Sequence, residues 1–316
     1  MHRIASCAPY LPRRASDTNK YDYGRVLIVG GCIGYTGAPT LCARAALRCG
    51  AGLVSVGVPE AIYAVTAVKN DEAMPFPLPS AEGKLARDAL PELLARLQKS
   101  DVCVLGPGLG RSDALTALVQ AVVTQSGTPL VLDADALFAV AQDVTVLDRA
   151  RAPIVLTPHD GEFARLAGPD KTGRAEAASD FAVRHGCTVV RKGPETVCAF
   201  PDGDAAVLRA GNPGMAKGGS GDVLAGMLGA LLCQMPARDA VQTAVCRALE
   251  KQGELKEPEA LRAWFYHILV HVCMDVLRSR KRVTLIPPEA LDAGSYEDPL
   301  PSDGTLAHRV DALPPE

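Results

Sequence analysis

The sequence predicts an α/β fold in which a mostly parallel central sheet carries helices on both faces. Three observations point to it. Six short apolar runs recur between residues 25 and 192, helix-competent stretches separate them, and nearly every run stops at a cluster of glycines or polar residues. Apolar runs that alternate with helical stretches are the pattern of parallel strands joined by crossovers. Runs that stay apolar at every position, rather than at every second one, belong to strands covered on both faces.

Along the chain, a polar, proline-containing lead-in (residues 1–24) precedes Arg25-Val26-Leu27-Ile28-Val29-Gly30-Gly31, a β-branched run stopped by glycines. Alanine-rich residues 38–50 read as a helix, and Leu53-Val54-Ser55-Val56-Gly57-Val58 as a second strand. Further strands are expected at 101–106, 129–134, 153–157 and 187–192, with helices at 113–125 and 173–184 among the connections. In such a sheet ligands bind beyond the C-terminal strand ends. The polar clusters fall there: Gly30-Gly31, Gly106-Pro107-Gly108-Leu109-Gly110, Asp133-Ala134-Asp135, Thr157-Pro158-His159-Asp160-Gly161-Glu162 and Lys192-Gly193-Pro194-Glu195-Thr196. One cluster is ordinary turn chemistry; five along one edge predict a binding crevice.

Composition narrows the class. Of 316 residues, 48% are hydrophobic and 22% charged, which fits a folded chain with a sizeable core and not a disordered one. No apolar run reaches the roughly 18 residues of a spanning helix, and residues 1–6 lack the apolar core of a signal peptide. A net charge of −3 gives no general attraction to nucleic acid. The ten cysteines are scattered through apolar runs without a CxxC pair, so no metal site is expected, and they read as reduced, buried thiols in a cytoplasmic protein.

The most informative segment is Gly211-Asn212-Pro213-Gly214-Met215-Ala216-Lys217-Gly218-Gly219-Ser220-Gly221-Asp222, which runs into the apolar Val223-Leu224-Ala225-Gly226-Met227-Leu228-Gly229-Ala230-Leu231-Leu232. A glycine-rich turn at a helix start brings backbone N–H groups and the positive end of the helix dipole to an anion. Asp222 beside bound phosphates suits a general base. A plainer reading has Ser220 or Asp222 cap the helix; it leaves unexplained the four glycines within residues 214–221 and the adjacent lysine. The Gly-Lys-Ser/Thr order of a Walker A loop is absent, and so is a dinucleotide-binding G-x-G-x-x-G after the first strand.

These residues resemble the signature of the NAD(P)H-hydrate dehydratases, nicotinamide repair enzymes of the ribokinase-like superfamily. Further matching stretches, in order and spacing, are Tyr35-Thr36-Gly37-Ala38-Pro39, Arg48-Cys49-Gly50-Ala51-Gly52-Leu53-Val54, Gly106 to Gly110, Asp133-Ala134-Asp135-Ala136-Leu137, Thr157 to Glu162, and Lys192 to Thr196. The likeness covers about residues 10–245. It implies a ribokinase-like fold and ADP- or ATP-dependent dehydration of hydrated NADH or NADPH, by phosphorylation of the ring 6-hydroxyl and elimination of phosphate. ADP is expected by analogy with stand-alone bacterial relatives, and Mg2+ as companion of the phosphates. By the resemblance Asp222 is the base and also touches substrate. Lys192, Gly193, Pro194, Glu195, Thr196, Asn212, Lys217, Gly218, Gly219, Ser220 and Gly221 hold the nucleotide, and Ala38, Gly106, Gly108 and His159 line the hydrate pocket. Several of these have a plainer reading: helix packing for Ala38, backbone bonding for His159. Helix capping is likewise open for Glu162, which the resemblance places near metal-bound water, and for Asp133 and Asp135. The small-molecule substrate is the expected partner, without membrane or nucleic acid, and self-association stays open. A small-alcohol kinase of the same superfamily is the alternative activity.

Composition shifts near residue 245, which divides the chain into a dehydratase-like unit (1–245) and a tail (246–316) expected to be part helical and then disordered. Residues 239–316 resemble a partial extracytoplasmic-function sigma factor, with Trp264 and the Arg278, Arg280, Lys281, Arg282 cluster on its helix and Leu313-Pro314-Pro315-Glu316 at its end. The DNA-binding alternative rests on that stretch. Beside it stands an amphipathic helix that packs through Trp264, Ile268 and Val272.

Overall fold

The computed structural model describes residues 16–208 and 217–250, the last five by backbone alone. Residues 1–15, residues 209–216, which include Asn212, and residues 251–316, on which most of the expected tail and its expected sigma-factor-like helix fall, lie outside the described residues.

Eleven strands are described: β1 (Arg25–Val29), β2 (Leu53–Pro59), β3 (Met74–Leu78), β4 (Ser80–Ala81), β5 (Lys84–Leu85), β6 (Val102–Leu105), β7 (Leu130–Leu132), β8 (Ile154–Leu156), β9 (Thr188–Arg191), β10 (Thr196–Ala199) and β11 (Ala205–Leu208). Nine of them form one sheet in the order β11-β10-β9-β8-β7-β6-β1-β2-β3, and β4 and β5 make a separate hairpin. Strands β3 to β9 along that order are parallel, and β10 and β11 are added antiparallel at the far edge. The chain works outward from β1 in one direction, then returns and works outward in the other through β6. The loops after β1 and β6 therefore diverge, which opens a crevice at their C-terminal ends.

The helices are α1 (Gly37–Arg48), α2 (Tyr63–Lys69), α3 (Leu90–Leu97), α4 (Asp113–Gln125), α5 (Asp135–Val140), α6 (Asp160–Ala167), α7 (Arg174–Arg184), α8 (Ser220–Leu232) and α9 (Ala237–Glu250). Alternate residues of each strand feed two cores. Val26 and Ile28 join α1, α8 and α9 on one face, while Leu27 and Val29 join α3 to α7 on the other. This two-sided burial is why the strand runs are apolar throughout.

All six expected strands are present. The strands passed over in the sequence sit at the margins. In β3, Met74-Pro75-Phe76-Pro77-Leu78, two prolines argue against a strand by the usual rule. As an edge strand, however, β3 needs N–H groups for one neighbour only, and prolines at alternate positions, opposite Val56 and Val58, leave the intervening N–H groups for β2. Strands β10 and β11 are four residues each, and β11 is only half-buried, so neither shows a strong apolar run.

Helix α8 lies tight against α1 and the sheet because its contact face is made of small residues. A methyl group on Gly226 would stand 2.1 Å from the carbonyl oxygen of Cys42 in α1. One on Gly229 would stand 2.7 Å from Val104 and 3.2 Å from Val26, on the adjacent strands β6 and β1. Gly226→Ala is therefore expected to push α8 off α1 and lower the denaturant midpoint by an amount equivalent to about 1–3 kcal/mol. Gly218→Ala, with nothing within 4 Å of the added methyl, should leave the midpoint unchanged.

Candidate functional site

The glycine-rich turn reaches α8 through Lys217 and Gly218, both exposed, and through Gly219, whose φ of 95° makes a left-handed N-cap. No side chain caps the helix. Ser220 and Asp222 are instead the first and third residues inside it, so the capping reading of either residue does not hold. Gly219 has no side chain with which to cap the first N–H groups of α8, and the helix dipole adds positive potential at the same point.

Directly below this turn lie two opposite charges from distant parts of the chain. Asp133 follows β7 and is almost fully buried, with 2% of its side chain exposed. Its Oδ1 accepts from Lys192 Nζ at 2.7 Å and from Thr157 Oγ1 at 2.7 Å. Lys192 follows β9, is half-buried, and also lies 4.0 Å from Glu162 Oε2. A methyl group on Gly221 would stand 3.2 Å from Lys192 Nζ and 3.6 Å from Asp133 Oδ2, so the pair abuts the first turn of α8. Asp133 does not cap α5, where Ala134 is the N-cap without a side-chain bond. Ala134 holds φ 49° and ψ −115°, a backbone that L-residues rarely adopt and that costs on the order of 1–3 kcal/mol. The turn sends Asp133 inward and Asp135 outward, where Asp135 accepts from the Gly110 N–H at 2.9 Å and pairs with Arg111.

His159 N-caps α6. Its Nδ1 accepts from the N–H groups of Gly161 and Glu162 at 3.0 and 3.2 Å, and Glu162 Oε2 returns the bond to the His159 N–H at 2.8 Å. The backbone reading of this histidine is thus present, while its ring stays exposed. A backbone bridge joins His159 to Lys192, and the Lys192 N–H donates to the Pro158 carbonyl at 2.7 Å. The exposed Gly193-Pro194-Glu195 loop is held from behind by Arg174, which donates to the carbonyls of Lys192 (3.2 Å) and Glu195 (2.5 Å) and to Asp160 (3.1 Å). Asp160 also takes Arg191, whose other end is bidentate on Asp170 and stacks on Phe163. Thr196 opens β10.

The remaining predicted residues divide. Ala38 and Gly108 meet: a methyl group on Gly108 would stand 3.0 Å from the Cβ atoms of both Ala38 and Tyr35, and Tyr35 is largely exposed beside them. Gly106 bears on the site through Asp133, because with φ 131° it lets β6 end against the Asp133 carbonyl, where a methyl group would lie 1.8 Å from the oxygen. Asp133, Thr157, Glu162 and Arg174 are the positions that the predicted site omitted. Three of them stand in the strand-end clusters, which was the available signal; Arg174, in a helix, gave none.

The charges act on Asp222. Burial, and then the negative charge of Asp133, raise its carboxyl to about 6, with Lys192 opposing. Burial works against the Lys192 ammonium, but Asp133, Glu162 and Asp222 outweigh it and leave the lysine above its ordinary value. One carboxyl of the cluster is thus tied into an ion pair, and the other accepts a proton near neutrality. Among the described residues no group of three His, Cys, Asp or Glu could hold a metal ion, and no helix is long and apolar enough to cross a membrane.

Residues 26–267 match the model of the NAD(P)H-hydrate dehydratase family. The chain is 46% identical over 235 residues to a bifunctional NAD(P)H-hydrate repair enzyme of Moorella thermoacetica, covering 73% of this chain and 44% of that one. It therefore spans less than half the length of such bifunctional relatives. To an ADP-dependent (S)-NAD(P)H-hydrate dehydratase of Neisseria meningitidis it is 36% identical, over 70% of this chain and 73% of the relative. The crystal structure of the ADP/ATP-dependent dehydratase of Bacillus subtilis, co-crystallized with ATP/Mg2+, superposes with a TM-score of 0.68 at 29% identity, over 84% of this chain and 94% of that one.

The raised carboxyl has a consequence for stability. A group whose folded value lies above its usual 3.8 stabilises the fold while protonated in both states, and that contribution is lost as pH rises through about 6. Asp222→Asn should therefore raise stability at pH 8, by at most about 3 kcal/mol. The gain should vanish near pH 4, as read from thermal melts at the two pH values.

Proposed function

The chain belongs to the NAD(P)H-hydrate dehydratase family, and from that premise we propose that it returns hydrated NADH and NADPH to NADH and NADPH at the expense of ADP or ATP. The observation that carries the reading is the glycine-capped start of α8, with a half-buried, proton-accepting carboxyl in its first turn.

In this reading Lys217, Gly218, Gly219, Ser220 and Gly221 receive the nucleotide phosphates on backbone N–H groups, with Asn212 beside them. Gly193, Pro194, Glu195 and Thr196 form the second nucleotide contact, and the backbone of Lys192 anchors that loop. Ala38, Gly106, Gly108 and His159 belong to the hydrate side. Asp222 takes the proton from the ring 6-hydroxyl as the phosphoryl group arrives. Phosphate then leaves with that oxygen, the adjacent ring carbon gives up a proton to solvent, and the dihydropyridine double bond forms between the two carbons. The positive end of α8 offsets charge that develops on the transferred group. Mg2+, when bound, neutralises phosphate charge. Among the described residues no group of three His, Cys, Asp or Glu would hold it.

The test mixes the protein with hydrated NADH and ADP, then ATP, and follows the return of dihydronicotinamide absorbance. Asp222→Asn should lower turnover about 10²–10⁴-fold, the usual contribution of a general base. The wild-type rate should climb between pH 5 and 7, as a carboxyl near 6 loses its proton. Full turnover by Asp222→Asn would remove the base assignment. A stable phosphorylated alcohol as product would favour the kinase reading.

A further inference from the structure

We propose that Asp133 and Lys192 act as a positioning pair for Asp222: locked together under the first turn of α8, their opposite charges set how readily Asp222 takes the substrate proton. The proposal rests on the reading of Asp222 as the base.

The geometry separates these residues from an ordinary phosphate contact. Lys192 Nζ lies 2.7 Å from Asp133 and 4.0 Å from Glu162, so two carboxylates already surround its charge. Asp133 Oδ1 receives both Lys192 and Thr157, whereas its Oδ2 faces Gly221, the residue before Asp222. Two charged groups act on Asp222 directly, Asp133 after β7 and Lys192 after β9; Glu162 of α6 acts on Lys192, and Cys42 of α1 feels the charge of Asp222. Burial pushes the Cys42 thiol well up, so it adds no charge. Lys217, three residues before the start of α8 at Ser220, and the helix dipole add positive charge at that end of the helix. Asp133 thus opposes ionisation of Asp222, and Lys192 favours it less strongly. Removing either one unbalances the site in a known direction. Neither residue touches the reacting atoms in this scheme; both act through Asp222.

The experiment uses the full chain, labelled with ¹³C at aspartate carboxyls, and reads the Asp222 titration directly by NMR, with the signal assigned by its loss in Asp222→Asn. The acid limb of kcat/KM for hydrate repair is recorded in parallel. Asp133→Asn should move both midpoints to lower pH by about 0.5–1 unit, and Lys192→Gln should move both to higher pH by a similar amount. The double variant should return them toward wild type. Lys192→Gln, at a half-buried position, carries the test alone if Asp133→Asn does not fold. Midpoints that stay put while turnover falls would mean that the pair only supports the fold, and the proposal is overturned. If Asp222→Asn keeps full turnover, the base reading fails instead, while the NMR midpoints still report on the pair.

Discussion

The site depends on how closely α8 approaches the centre of the molecule. Gly226 against the Cys42 carbonyl and Gly229 between Val104 and Val26 leave no room for even a methyl group. The helix therefore rests directly over β1 and β6, the strands from which the chain turns to either side. That contact brings the start of α8 to the C-terminal edge of the sheet, where the loops after β7 and β9 end. Larger side chains at these glycines would lift the helix, and its first turn would lose Asp133 and Lys192 as neighbours. Small residues in α8 are thus required for the arrangement of charges at its first turn as much as for packing.

The charges gathered there are costly to bury, and the surroundings show how the cost is met. Asp133 has both Lys192 and Thr157 on one oxygen, which satisfies a carboxylate that is almost out of water. Ala134 holds a strained backbone so that its two acidic neighbours point in opposite directions. Gly106 gives up its side chain so that β6 can end on the Asp133 carbonyl. Three otherwise unrelated local features thus serve one carboxylate. The outcome is a second carboxyl, on Asp222, that sits near neutrality instead of near 4. A proton acceptor in that range can work at physiological pH, and its ionisation weakens the fold, a trade common at catalytic centres.

A second layer fixes the edge of the crevice. Arg174 and Arg191 share Asp160, and Arg174 reaches the carbonyls on both sides of the exposed Gly193-Pro194 turn. The turn stays open to solvent while its backbone is held from inside. His159 plays a similar part: its ring closes a capping box on α6, and its backbone lies beside Lys192. The family match, residues 26–267, takes in this whole crevice and continues past the composition shift near residue 245. It thus takes in residues 239–267, expected from the sequence to belong to a sigma-factor-like tail.

Much of the fold is legible along the chain because its cause is local. An apolar run that ends in glycine records a buried strand whatever its neighbours are, and Ser112 at the head of α4 or the alanines of α1 announce helices from their own positions. The order of the motifs likewise points to the family and to Asp222. The edge strands escape notice because proline in β3 and half-burial in β11 are tolerated only at a margin that strand order creates. The Asp133–Lys192 pair escapes for a deeper reason: its members lie 59 residues apart and meet only because β7, β8 and β9 are adjacent and parallel. Local sequence carries residue type and periodicity. The proton affinity of a carboxyl depends on which distant charges share its low-dielectric surroundings, and only the folded chain brings those together.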